Sequence, residues 1–129
     1  MFFEAKVSFP LAGDLLNVDN FFGFYQDGNN YLGFDYIAVG AVSRWQAYCV
    51  TAGILETTDI GDLVVADQDY NLKIIFEDGL VSFILDETNL VQYNIVPSGL
   101  HELLINTATG DNNAKNIDLN FMKLLMNKI

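Results

Sequence analysis

The chain is short of bases. Six Lys and Arg stand against 17 Asp and Glu, giving a formal charge of −11 and a pI near 4.1. That excludes a nucleic-acid backbone as the natural partner, because phosphate binding needs clustered Lys and Arg that release counterions. An anionic membrane surface is excluded by the same argument. Cysteine is limited to Cys49, so no intramolecular disulfide can form, and nothing resembles the paired spacing of a secreted scaffold. Its setting, Ala47-Tyr48-Cys49-Val50, suits a small buried hydrophobe better than a reactive thiol. Long apolar runs are missing too: Asp, Asn, Gly or Arg interrupts every stretch approaching the ~20 residues of a membrane span. The first residues carry Glu4 where a signal peptide needs a basic region, so the expected location is the cytoplasm.

Apolar residues are abundant by contrast. They make up 51% of the chain, aromatics 13%, and the mean hydropathy is +0.24, which excludes intrinsic disorder. A chain of 129 residues is expected to form one domain, residues 1–129, with a core that needs neither disulfide nor metal.

Short β-branched and aromatic segments recur between turn signals, the spacing of an antiparallel β domain. Phe3, Ala5, Val7 and Phe9 alternate with Glu4, Lys6 and Ser8, predicting a first strand with one buried face that Pro10 ends. Asp27-Gly28-Asn29-Asn30 separates strands expected at 21–26 and 31–39, and 44–51 reads as a central strand. Thr57 to Asp62 reads as a polar loop. Glu77-Asp78-Gly79 between 70–76 and 80–85 is the turn of a tight hairpin. Pro97-Ser98-Gly99 suggests a second hairpin, between 90–96 and 100–107. Residues 109–113 read as a loop, and a strand is expected from about 117 with a frayed or helical end. The expected fold is mainly β, an antiparallel sandwich or partly open barrel of about seven to nine strands, with one short helix within 11–24.

Catalytic chemistry finds little support, and no enzyme is expected. The sole histidine, His101, begins a predicted strand without a spaced nucleophile or second acid, and a zinc site joining it to Cys49 would have to recruit two carboxylates. No Gly-rich phosphate loop and no Gly-x-Ser-x-Gly elbow occurs. Asp67-Gln68-Asp69-Tyr70-Asn71 opens like a calcium loop, and Asp78 falls twelfth, but Leu72 occupies the position that requires Gly. No cofactor and no metal are therefore expected. Aromatics such as Tyr25, Tyr31, Tyr36 and Trp45 are expected chiefly in the core.

Charge carries the functional expectation. Residues 7–43, 45–72 and 74–114 contain no base, and nine of the 17 acids lie within 56–87: Glu56, Asp59, Asp62, Asp67, Asp69, Glu77, Asp78, Asp86 and Glu87. Solvated acidic loops keep an apolar protein soluble, yet an uncompensated single-sign field also steers an oppositely charged partner. These nine carboxylates are the candidate partner-binding residues, and the candidate partner is a cationic protein.

The stretch Glu77-Asp78-Gly79-Leu80, then 81–85, then Leu90-Val91-Gln92-Tyr93-Asn94-Ile95-Val96-Pro97-Ser98-Gly99-Leu100-His101-Glu102-Leu103 resembles the C-terminal half of competence protein J, a family of small bacterial inhibitors of a DNA-entry nuclease. It differs by an added Val96 before Pro97 and by His101 where that family has an aromatic. By type the chain also resembles immunity proteins of bacterial toxin systems, such as those of contact-dependent growth inhibition. The resemblance implies a stoichiometric inhibitor that neutralises a cognate nuclease toxin. The alternative is a small-molecule or carbohydrate-binding β-sandwich, with calcium assistance as a variant.

Overall fold

The computed structural model describes residues 1–38, 43–110 and 114–126. Ten strands are found among them: β1 (Phe2–Ser8), β2 (Val18–Asp27), β3 (Asn30–Ala38), β4 (Trp45–Thr51), β5 (Ile54–Ile60), β6 (Tyr70–Glu77), β7 (Leu80–Leu85), β8 (Asn89–Tyr93), β9 (Glu102–Thr109) and β10 (Asp118–Leu125). They form two antiparallel five-stranded sheets, sheet A in the order β10-β1-β6-β7-β8 and sheet B in the order β5-β4-β3-β2-β9. The two sheets pack as a sandwich around one core. No helix among the described residues is long and apolar enough to cross a membrane.

Alternation builds the core. Phe3, Ala5, Val7 and Phe9 are all fully buried, as the period of two requires of a strand with one inner face. Trp45 sits at the centre, its ring 6.0 Å from Phe9 and 6.4 Å from Tyr70 on one side, 6.1 Å from Phe22 and 5.7 Å from Tyr36 on the other. Phe34 of sheet B meets Phe83 of sheet A edge-on at 5.4 Å, a geometry worth about 0.5–1.5 kcal/mol beyond the area buried. Tyr93 of β8 reaches across to sheet B, where its hydroxyl donates to the Ala47 carbonyl at 3.3 Å. Cys49 is buried and its thiol is free.

Several expectations hold. The 77–79 turn closes the β6–β7 hairpin with Asp78 and Gly79 both at positive φ, 51° and 75°, the backbone that makes Asp-Gly favourable there. The last segment is a strand, β10. The one helical element in 11–24 is a single 3-10 turn, Ala12–Leu15, and the rest of that stretch from Val18 is already β2. Residues 111–113 of the expected 109–113 loop, and Val39, lie outside the described residues.

Three expectations are corrected. Residues 57–60 belong to β5 rather than to a loop, and ten strands replace seven to nine. The edge strand β5 turns only Ile60 fully into the core, so its pairing rests on backbone hydrogen bonds that leave no apolar alternation in the sequence. Residues 90–96 and 100–107 do not form a hairpin either: β8 pairs with β7 in sheet A, and β9 pairs with β2 in sheet B. The Pro97-Ser98-Gly99 segment carries the chain between sheets. The Thr51 hydroxyl donates to the Ile95 carbonyl at 3.3 Å, and the His101 N–H donates to the Tyr25 carbonyl at 3.3 Å, tying that crossing to β4 and delivering β9 to β2.

Candidate functional site

The register of sheet B lays its outward residues out in rows. Glu102 of β9, Tyr25 of β2, Tyr31 of β3 and Val50 of β4 form one row; Leu104, Gly23, Gly33 and Tyr48 form the next; Asn106, Phe21, Asp35 and Gln46 form the third; Ala108, Asp19 and Ile37 begin the fourth. The directly opposed Gly23 and Gly33 leave a trough in the middle of this face. A Cβ on Gly33 would lie 2.6 Å from the Phe21 ring and 2.5 Å from the Phe22 carbonyl oxygen. The rings fold over the space the glycines leave.

Tyr31 is the hub of that arrangement. Its ring stacks on Tyr48 at 5.8 Å with 16° between planes, meets Phe21 edge-on at 5.7 Å, and lies 6.1 Å from Tyr25. Beside the rings is a hollow of about 320 Å³ whose walls include Asp19, Phe21, Tyr25, Tyr31, Asp35, Tyr48, Leu104 and Asn106. A second hollow of similar volume adjoins it and shares Asp19 and Ile37, so the depression continues along the sheet. Its size is at the lower end of small-ligand pockets.

Asp35 is the electrostatic centre of the hollow. It is 4% exposed, and no donor reaches its Oδ1. Burial pushes its pKa up to about 8, and the facing Asp19 carboxylate adds to the rise. Two carboxylates can bond to each other only by sharing a proton, so the pair holds one at neutral pH. Gln46, opposite Asp35 on β4, turns its amide away and donates to Asp59 at 3.0 Å. Burial, joined by a hydrogen bond with Tyr31, pushes the Tyr48 phenol up to about 12.

The nine acids singled out from the sequence are dispersed. Glu56 and Asp59 lie on the edge strand β5, and Asp59 pairs with Arg44 at 4.0 Å. Asp62, Asp67 and Asp69 lie in the connection from β5 to β6, and Asp86 and Glu87 in the turn from β7 to β8. The hairpin register puts Asp67, Asp69, Asp86 and Glu87 toward one end of sheet A and Glu77 and Asp78 at the other, about 20 Å away at the usual strand rise. Some serve the fold: Asp86 accepts the Asn71 N–H at 2.8 Å, Glu87 accepts from Lys73 at 3.2 Å, and Asp69 accepts from Asn120 at 3.3 Å. Asp67 and Asp78 cannot close around a calcium ion, because β6 runs between them. Among the described residues no group of His, Cys, Asp and Glu is arranged to hold a metal. His101 is exposed, its Nδ1 3.0 Å from the Gly99 carbonyl and its Nε2 3.5 Å from Glu102.

Sequence reasoning passed over Asp19 and Asp35 in favour of the acidic loops. A signal was present at Asp35, an acid between Phe34 and Tyr36 inside an apolar strand. Tyr25 and Tyr31, assigned chiefly to the core, belong to the outer face of sheet B, whereas Trp45 and Tyr36 are core residues.

The chain is thus a two-sheet antiparallel β-sandwich with an aromatic, carboxylate-bearing hollow on one sheet. No family model matches the sequence, and no curated protein does either. Among solved structures the chain is similar to CG-16, a homodimeric agglutinin from chicken liver. The likeness covers 95% of this chain and 88% of that one, with a TM-score of 0.57 and 13% identity. At that identity the likeness is one of fold. It overturns the expectation of an acidic immunity protein or nuclease inhibitor that neutralises a toxin, since the neighbour is an agglutinin.

Proposed function

We propose that the chain is a carbohydrate-binding β-sandwich that takes its ligand in the hollow on sheet B and does not turn it over. The observation that carries this is the Tyr31–Tyr48 stack beside the Asp19–Asp35 pair. A sugar has a C–H-rich face that packs on aromatic rings and hydroxyls that need convergent polar groups. Tyr31 and Tyr48 supply the rings, and Asp19, Asp35 and Asn106 supply the polar groups. The likeness in fold to an agglutinin supports the same reading. A cytoplasmic location belongs to it as well, since the lone buried Cys49 requires no oxidising compartment.

The test is a glycan panel followed by calorimetry on the best binder. Binding that weakens about tenfold in Tyr48→Ala while the fold persists supports the reading. A panel without any binder at millimolar concentrations overturns it.

A further inference from the structure

The hollow is one-sided in its charge. Besides Asp35, β2 contributes Asp19 and Tyr25 to its walls, β3 contributes Tyr31, β4 contributes Tyr48, and β9 contributes the neutral Leu104 and Asn106; among the described residues no Lys, Arg or His lines it. On flanking positions, Asp59 lies beyond Gln46 on β5 with the Arg44 guanidinium 4.0 Å from it, and Glu102 lies opposite Tyr25 on β9 with the His101 Nε2 3.5 Å away. Asp35 Oδ1 is buried and lacks a donor, a state that costs free energy unless something supplies one. Gln46 could do so by position but is engaged with Asp59.

We propose that the missing donor is an ammonium group of the ligand, and that the carbohydrate taken by this site is an amino sugar with a free amine. This rests on the carbohydrate reading above. The ammonium would donate to Asp35 and Asp19 while the stacked tyrosines present their π faces to the same charge, and rings with a cation within about 6 Å attract it electrostatically. Charge-assisted hydrogen bonds of this kind are about twice as strong as neutral ones. A neutral hydroxyl or an acetamide offers the acids no charge. The proton shared by Asp19 and Asp35 leaves as the ligand enters: it goes to the buffer when the ligand arrives as the ammonium ion, and to the amine when the ligand arrives uncharged, so proton release is read at a pH where the free amine is already charged.

The experiment compares three matched trisaccharides by calorimetry: the β-1,4-linked glucosamine trimer, its N-acetylated counterpart and the glucose trimer, with choline as a cation that carries no sugar. The free-amine trimer is expected to bind at least tenfold tighter than either neutral trimer, with an enthalpy that depends on the buffer's own ionisation heat. Choline, whose charge does not titrate, is expected to bind more tightly as pH rises from 6 to 9. Asp35→Asn should abolish the amine preference and the proton release. Asp19→Asn, at an exposed position, gives the same answer should the buried substitution fail to fold. Equal binding of charged and neutral trimers overturns the inference and leaves the carbohydrate reading intact. Choline binding without any trimer binding keeps the ammonium site and overturns the carbohydrate reading, and no binding of any probe overturns both.

Discussion

Tyr31 and Tyr48 stack across the β3–β4 pair with ring centroids 5.8 Å apart, although their backbones are not directly opposite: Tyr48 faces Gly33, and Tyr31 faces Val50. The diagonal contact exists because Gly33 has no side chain to stand between them. Removing either ring should empty half of the ligand platform without opening the core, since both are only half-buried. Tyr31→Ala or Tyr48→Ala is expected to weaken sugar binding about tenfold, the equivalent of ~1.4 kcal/mol, with little change in the urea midpoint. Titrating each variant with the best glycan checks this.

The glycine trough makes a sharper demand. Gly33→Ala brings a methyl to 2.5 Å from the Phe22 carbonyl oxygen, and Gly23→Ala brings one to 2.2 Å from that of Leu32. Backbone must shift to admit either. Each substitution should destabilise the protein by about 1–3 kcal/mol, as overpacking does. Gly28→Ala, with nothing within 4 Å of its Cβ position, is the control that should leave the urea midpoint nearly unchanged.

Asp35 makes stability fall with pH. Its folded pKa is raised to about 8, chiefly by burial, while the unfolded chain has an ordinary Asp near 3.9. The native state therefore holds a proton that the unfolded state lacks across this interval. The stabilisation is complete below about pH 4 and is lost as pH rises through about 8. Denaturant titrations at pH 5, 7 and 9 should show that downward trend from this group, and Asp35→Asn should flatten it. An unchanged slope in the variant excludes Asp35 as its source.

Asp14 ties the start of the chain to its end. Its carboxylate accepts the Leu11 N–H at 3.0 Å and the Asn116 N–H at 2.8 Å, and it is buried. Asp14→Ala leaves both donors without their acceptor, which costs about 1–3 kcal/mol per buried group. The Asn116 amide should exchange with solvent markedly faster in this variant. Urea denaturation gives the stability loss.

Much of the scaffold was legible in order along the chain. The alternation of Phe3, Ala5, Val7 and Phe9 marks β1 and its inner face, and Asp78-Gly79 marks a hairpin, because both signals are local consequences of backbone geometry. Edge strands were harder. In β5 only Ile60 turns fully inward, and in β10 the large residues Leu119, Phe121, Met122, Leu124 and Leu125 are all exposed, so pairing follows no apolar period.

By itself the sequence determined a mainly β domain with one aromatic core and an excess of negative charge, since periodicity and composition act within single segments. Tertiary structure alone decided which sheet each strand joins and therefore which side chains meet. Asp19 and Asp35 are 16 residues apart, and only the β2–β3 register turns both to one face, with Asp35 opposite Phe21 and Asp19 opposite Ile37. A slip of one residue would send Asp35 into the core. The −11 charge belongs to the whole chain; that two of its 17 acids meet in a tyrosine-lined hollow is a property of the register.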